Sequence, residues 1–332
     1  MRFSLPAWAR WDASKGTAPA GASRLGAGVP RHPGLAEAQG LGARLPPLLV
    51  AAERVAATVA QGVHGRRRAG MGDSFWQYRQ AMPGEPASRI DWRQSARSSR
   101  AYVREMEWEA AQSVFLWHDP SPSMRWHSRT GLPLKAERAE LLLLALASLL
   151  LRGGEHVRLL SGGKQAAAIS NQNGLARLAA HMAMQIPDDA SGEQGLPPSA
   201  VELPRHARLV LIGDMLAEPA QIESLFSRLS AIPVGCTVLQ ILDPAEVSLP
   251  YEGRVRFEGL EGEEGFLTPR AQDLGAAYMA AMSSHQQHLA TLCTRAGFGL
   301  IRHHTDQPPQ AALLALHQAM HQVRNPFRGA AG

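Results

Sequence analysis

Residues 208–214 read RLVLIGD, a run of four apolar side chains followed by a glycine and an acid. Residues 113–119, SVFLWHD, form a second apolar run that also ends in an acid. Short apolar runs of this kind are typical of strands that are buried on both faces of a sheet. Helical patterns separate these runs from others, among them residues 135–151, 221–229 and 271–296. The alternation predicts an α/β fold, a mostly parallel sheet with helices on both faces.

The composition of the 332-residue chain agrees with this fold and excludes several classes of protein. Hydrophobic residues make up 45% and charged residues 19%, which is enough apolar content for a large core. The longest uncharged apolar run, residues 141–151, is shorter than the roughly 20 residues that a bilayer requires. Two cysteines argue against a disulfide framework. We therefore expect a cytoplasmic protein without a membrane span, whose net charge of +5 permits an acidic partner.

The chain divides by composition into four segments. Residues 1–45 are rich in Gly, Ala, Pro and Arg and predict a flexible N-terminal tail. Residues 46–110 combine a short helix, beginning after two prolines, with an extension rich in Arg and aromatic side chains. Residues 111–325 form the predicted α/β domain, and residues 326–332 a C-terminal tail. Within the α/β domain, residues 254–257 alternate in polarity and predict half of a hairpin.

Oxygen-bearing side chains follow both of the strands that end in an acid. Asp119, Ser121 and Ser123 alternate along the chain, so in an extended loop all three point to one side. Because the carboxyl ends of parallel strands meet at one edge of a sheet, Asp214 is expected nearby. Carboxylates and hydroxyls are ligands that Mg²⁺ accepts, so the pattern predicts a metal site. The same spacing of Asp and Ser is also common in turns and at helix starts.

Residues 64–110 carry a dense series of Arg, aromatic and acidic motifs. These motifs are Arg66-Arg67-Arg68, Gly72-Asp73-Ser74-Phe75, Tyr78-Arg79, Pro83-Gly84-Glu85, Arg89-Ile90-Asp91-Trp92, Ser95-Ala96-Arg97 and Val103-Arg104-Glu105. The series resembles the signature of the bacterial family called domain of unknown function 58. In that family the signature leads into a von Willebrand factor A-like domain that begins D-x-S-x-S-M, as residues 119–124 do here. The resemblance covers roughly residues 64–323.

The resemblance implies a Rossmann-like sheet of the von Willebrand factor A type with a metal-ion-dependent adhesion site. It assigns the metal ligands of that site to Asp119, Ser121, Ser123 and Asp214. Such sites also use a Thr, and here the loop of residues 188–204 offers Ser191 and Ser199 instead. The resemblance further implies that the protein works with a MoxR-type AAA+ ATPase in protein maturation or complex assembly.

The Arg- and aromatic-rich extension allows three interpretations. It could dock a protein partner, with contacts from Arg66, Arg67, Arg68, Trp76 and Arg79. It could bind nucleic acid through phosphate contacts and base stacking. It could also form internal ion pairs that attach the segment to the sheet. In the last interpretation five residues have a structural role: Arg89, Ile90, Asp91, Trp92 and Arg97. Side chains alternate along an extended segment, which predicts that Ile90 and Trp92 lie on the same, buried side.

The leading functional hypothesis is a non-enzymatic protein-interaction module. A Mg²⁺ ion held by the predicted ligands would have an open position for a partner's carboxylate. The alternatives are a metal-dependent hydrolase, in which the same cation activates water, and a nucleic-acid-binding protein that uses the Arg-rich segment. Two histidine pairs, at 285 and 288 and at 317 and 321, have helical spacing and are expected on exposed helix faces rather than at a zinc site.

Overall fold

The computed structural model describes most of the chain from residue 35 to residue 322. The described residues are 35–64, 75–81, 90–97, 100–106, 113–161, 164–165, 169, 171, 174–183, 195–198, 203–205, 207–257, 260 and 265–322. The strands are β1 Phe75–Gln80, β2 Tyr102–Met106, β3 Ser113–His118, β4 His156–Ser161, β5 Lys164–Gln165, β6 Arg208–Gly213, β7 Gly235–Leu242, β8 Val255–Phe257, β9 Phe266–Thr268 and β10 Gly299–His304. The helices are α1 Leu35–His64, α2 Trp92–Ser95, α3 Lys135–Arg152, α4 Gly174–Ala183, α5 Pro219–Ser230, α6 Pro244–Ser248, α7 Gln272–Ala296 and α8 Pro309–Gln322.

A six-stranded sheet, in the order β10-β7-β6-β3-β4-β5, forms the centre of the described structure. All neighbouring strands are parallel except the short edge strand β5, which pairs antiparallel with β4. The prediction of a mostly parallel, Rossmann-like sheet is therefore confirmed. Numbered in chain order, the strands run 3-2-1-4-5-6, so the order reverses between β3 and β6. Ligands of open α/β sheets bind at this reversal, outside the carboxyl ends of the strands.

Helices cover both faces of the sheet, as expected. Successive side chains along each strand point to opposite faces of the sheet, so neighbouring residues pack into different cores. Leu116 and Ile212 pack with α1, α3, α4 and α8 on one face. Phe115 and Leu211 pack with α5 and α7 on the other. Because both faces are buried, the four inner residues of each strand, 114–117 in β3 and 209–212 in β6, are apolar.

Helix α1 corrects two predictions about the N-terminal part of the chain. It begins at Leu35 and continues through Pro46 and Pro47, so the predicted tail over residues 1–45 extends too far and the prolines do not open the helix. Residues 1–34 lie outside the described part of the chain. The part of α1 that follows the prolines is held by tertiary packing: α1 contacts α3, and buried residues such as Val55 belong to the same core as the sheet.

The predicted hairpin at residues 254–257 is confirmed, because β8 pairs antiparallel with β9. Phe257 stacks on Phe266 across this pair, with ring centroids 5.2 Å apart. Phe257 also belongs to a third buried cluster with Leu242 and Tyr278, which joins the hairpin to the end of β7 and to α7. Among the described helices, none combines the length and the apolar character needed to cross a membrane.

Candidate functional site

The two acids that end the central strands lie at the point where the strand order reverses. The backbone N–H of Asp119 donates to the carbonyl of Ile212 at 2.8 Å, which extends the ladder between β3 and β6 by one residue. Asp119 therefore lies directly beside Gly213. A Cβ atom at position 213 would be 2.9 Å from the Cβ of Asp119, so this close approach requires glycine. Gly213 thus makes room for the first acid and immediately precedes the second, Asp214.

The loop after β3 brings its two serines to Asp214. Asp119 accepts the backbone N–H of Ser121 on Oδ1 at 2.8 Å, which turns the chain into a short 3-10 helix, Pro122–Met124. Ser123 donates its hydroxyl to Oδ2 of Asp214 at 3.0 Å, across 91 positions of sequence. The hydroxyl oxygens of Ser121 and Ser123 are 2.9 Å apart. Because a hydroxyl has one proton, Ser121 is the donor in that contact.

The structure therefore brings together the four residues predicted to bind a metal, and all four are buried. The backbone of Gly195, from the loop after α4, also approaches the site: a Cβ built on it would lie 3.5 Å from Oδ2 of Asp119. Ser191 and Ser199, which were the candidates for an additional ligand, lie outside the described residues.

A buried lysine, which the sequence analysis did not single out, binds the second acid. Lys135 is the first residue of α3 and its side chain is 0% exposed. Its Nζ donates to Oδ2 of Asp214 at 2.8 Å and to Oε1 of Glu246, in α6, at 2.5 Å. A positive charge at a helix N-terminus is normally unfavourable, because the amide dipoles already make that end positive. Two carboxylates compensate for it here.

The pKa shifts of this ion-pair group follow from burial and from mutual attraction. Burial alone would lower the pKa of the Lys135 ammonium, but Asp214 and Glu246 outweigh it and raise that pKa above its ordinary value. Burial would raise the pKa of Asp214, and Lys135 reverses this and holds it below its usual range. For Glu246 burial prevails, and its pKa rises to about 7 despite Lys135. Lys135 and Asp214 are therefore the firmly ionised pair.

Glu246 is itself held by a second layer of hydrogen bonds. Its Oε2 accepts the backbone N–H of Asp243 at 2.8 Å, while Asp243 caps α6 by accepting the N–H of Ala245 at 2.9 Å. The backbone carbonyl of Glu246 accepts the hydroxyl of Tyr278 at 2.8 Å. These contacts fix the carboxylate that Lys135 binds. They join α6 and α7 to the start of α3.

The backbone after Asp214 is held in an unusual conformation. Met215 has a φ of 53°, in the left-handed region that side chains other than glycine seldom adopt. Nε2 of His285 donates a hydrogen bond to the backbone carbonyl of Met215 at 2.7 Å. Nε2 of Gln240 donates to the backbone carbonyl of Asp214 at 3.0 Å. His285 is buried, so the prediction that it lies on an exposed helix face is wrong: its α7 position faces the sheet. These bonds hold the backbone that carries the Asp214 side chain.

The donor set fits a hard cation that binds through oxygen. The described residues contain no cluster of three or more His, Cys, Asp and Glu arranged around a metal position. A cation would instead meet two carboxylates and two hydroxyls, those of Asp119, Asp214, Ser121 and Ser123. Mg²⁺ is commonly bound by one or two carboxylates and retains several waters. The chemistry of these residues is therefore suitable, although Lys135 balances one of the two negative charges.

The Arg- and aromatic-rich extension is described only in part. Trp76 and Arg79 lie in β1, which pairs antiparallel with β2. The other proposed partner contacts and one of the proposed structural residues lie outside the described residues: Arg66, Arg67, Arg68 and Arg89.

The remaining signature residues include one correction. Trp92 is 63% exposed, so the prediction of a buried side shared with Ile90 is wrong. The reason is local: α2 begins at Trp92, and the alternation of an extended strand ends there. The backbone N–H of Asp91 donates to the carbonyl of Tyr102 at 2.8 Å, which attaches this turn to β2. Ile90 and Asp91 are half-buried, whereas Arg97 is exposed.

Comparison with protein families gives one match. A family model described as "Protein of unknown function DUF58" matches residues 77–288, more than half of the chain. The matched range begins within β1 and ends within α7. It includes all four residues of the candidate metal site, together with Lys135 and Glu246. The search of curated proteins found no significant match.

Three solved structures are similar to this chain at low TM-scores. The conserved hypothetical protein BatB from Bacteroides thetaiotaomicron has 16% identity and a TM-score of 0.35, and the match covers 64% of this chain and 98% of that one. An aerotolerance-related membrane protein from Bacteroides fragilis, carrying multiple mutations to serines, has 17% identity and a TM-score of 0.34, with coverages of 64% and 99%. The SpRpn10 VWA domain has 10% identity and a TM-score of 0.30, with coverages of 62% and 95%.

Proposed function

The chain belongs to the DUF58 family of proteins of unknown function, and we propose that it is an adaptor, a non-enzymatic module that binds a protein partner at the carboxyl edge of its sheet. One observation carries the proposal: Asp119, Ser121, Ser123 and Asp214 converge where the strand order reverses. Such a reversal forms the crevice in which open α/β sheets bind their ligands. We also propose a cytoplasmic location, which cell fractionation would test.

A divalent cation, Mg²⁺, is the proposed cofactor of this interface. Asp119, Ser121 and Ser123 would hold it, and Asp214 would orient Ser123 through the hydrogen bond of 3.0 Å. When bound, the cation would supply an open coordination position for a carboxylate of the partner. The four site residues are themselves buried, so the partner's carboxylate would bind away from bulk water.

The proposed partner is a MoxR-type AAA+ ATPase, or a client protein that such an ATPase remodels. The resemblance of the sequence motifs suggests this class of partner, and the net charge of +5 favours an acidic surface on it. Exposed charges mainly increase the rate of association, and salt screens them. A bond between the cation and a carboxylate would mainly lower the dissociation rate.

The experiment is capture of the purified ATPase by the immobilised protein, in Mg²⁺ and in chelator. We expect capture in Mg²⁺, faster dissociation in chelator, and loss of capture for Asp119→Asn. Asp273→Asn is the matched control, because Asp273 is an exposed acid in the first turn of α7 and the variant has the same change of net charge. If Asp119→Asn binds the ATPase as the wild type does, the site is not the interface.

A further inference from the structure

We propose that Lys135 is a built-in counter-ion for Asp214, so that a divalent cation is bound weakly and directly through Asp119 and the serines alone. This inference rests on the cation site of the proposed function and concerns how strongly that site binds. It assigns a regulatory role to a buried lysine that is 79 positions away from its partner in sequence.

The hydrogen bonds of Asp214 are the first support. Its Oδ2 accepts both Nζ of Lys135 at 2.8 Å and the hydroxyl of Ser123 at 3.0 Å, and its Oδ1 accepts the N–H of Leu216 at 3.1 Å. A carboxylate has about four lone-pair sites, and these donors occupy three of them. A cation that bonded directly to Oδ2 would have to displace Lys135 or Ser123, and the one site left is on Oδ1, beside the N–H of Leu216.

The anchoring of Lys135 is the second support. Its side chain is completely buried, and its second partner, Glu246, is fixed by the capping interaction with Asp243. The backbone N–H of Lys135 also donates to the carbonyl of Trp126, which sets the start of α3 above the site. To leave Asp214, the ammonium would have to abandon a hydrogen bond in a region without solvent to replace it. The lysine therefore stays where it is when a cation arrives.

The charge of Lys135 is the third support. An ammonium beside a divalent cation repels it, and salt screens buried charges far less than exposed ones. Lys135 also cancels the negative charge with which Asp214 would attract the cation. Asp119 then supplies the carboxylate that meets the cation. The expected result is a site of low affinity, loaded only at high concentrations of the cation or together with a partner's carboxylate.

The test measures Mn²⁺ binding by titration calorimetry in four proteins: the wild type, Glu246→Gln, Lys135→Met with Glu246→Gln, and Asp119→Asn. The double variant removes the ammonium and its second partner together, and the side-chain carbonyl of the introduced glutamine can still accept the N–H of Asp243. We expect the double variant to bind Mn²⁺ on the order of tenfold more tightly than the wild type. Glu246→Gln, which leaves Lys135 on Asp214, should bind no more tightly than the wild type.

The outcomes separate the inference from the proposed function. If Asp119→Asn abolishes binding while the double variant binds no more tightly, Lys135 has no such role and the cation site stands. If Asp119→Asn binds as the wild type does, or if neither the wild type nor the double variant binds Mn²⁺, both are wrong. Should the double variant not fold, wild-type crystals soaked in Mn²⁺ decide the question. Mn²⁺ on Asp119, with Lys135 still on Asp214, supports the inference, and Mn²⁺ bonded directly to Asp214 overturns it.

Discussion

Replacing Gly213 by alanine should destabilise the protein, although alanine is normally the better residue in a folded chain. The added Cβ would lie 2.9 Å from the Cβ of Asp119 and 3.3 Å from its Oδ2, against an ordinary carbon–carbon contact of about 3.5–4.0 Å. Neither strand can shift freely, because β3 and β6 are hydrogen-bonded along their length and lie inside the sheet. Overpacking of this kind lowers the free energy of unfolding by about 1–3 kcal/mol. Alanine also makes the unfolded chain less flexible, which raises it by roughly 0.4–1 kcal/mol, a smaller effect.

Urea denaturation of the Gly213→Ala variant checks this, with Gly275→Ala as the matched control. Gly275 lies inside α7, and nothing lies within 4 Å of an added Cβ there. The control should therefore gain about 0.5–1 kcal/mol of stability. After that return, we expect Gly213→Ala to lose a net of about 0.5–2.5 kcal/mol without a change in the slope of the transition. If it is as stable as the wild type, Asp119 does not pack against β6 as described.

Three further predictions concern stability. His303 is buried, 2% exposed, and burial, helped by Arg138, lowers its pKa to about 4. Because the unfolded chain binds the proton from about pH 6.5 downward, His303 should contribute a loss of about 2 kcal/mol of stability between pH 7 and pH 5. His303→Asn should remove that share of the loss in urea titrations at the two pH values, whereas His181→Asn, at an exposed position, should not. Lys135→Met should cost about 3–5 kcal/mol, since it leaves Asp214 buried without its ion pair; a thermal or urea midpoint near that of the wild type would contradict this. Trp92→Ala should cost less than about 1 kcal/mol because its ring is exposed, and a larger loss would show that the ring is packed.

The central strands and the acids after them could be predicted from the sequence because the signal is local. Four consecutive apolar residues before Gly213, and five before Asp119 if His118 is counted with them, leave little alternative to a strand buried on both faces. Parallel strands then place both acids at one edge, and the structure shows the hydroxyl of Ser123 on Asp214. A parallel sheet brings the carboxyl ends of neighbouring strands together. The pattern at the end of each strand was therefore sufficient to predict that the two acids are close.

The ion pairs of Lys135 could not be predicted in the same way. Its partners lie 79 and 111 positions away, and no spacing rule connects a helix start with two distant acids. One local signal existed: a lysine at the first position of a helix opposes the helix dipole and needs compensation. The start of α1 differs from the local signal too: two prolines favour a helix start, whereas α1 begins at Leu35 and contains both of them.

The bonds of Lys135 also bear on how long the native state lasts. They join the beginning of α3, the end of β6 and the beginning of α6, so they can form only after three distant parts of the chain have assembled. Contacts that form after the folding barrier leave the folding rate almost unchanged and slow unfolding instead. Removal of the buried lysine should therefore shorten the lifetime of the folded protein more than it delays refolding.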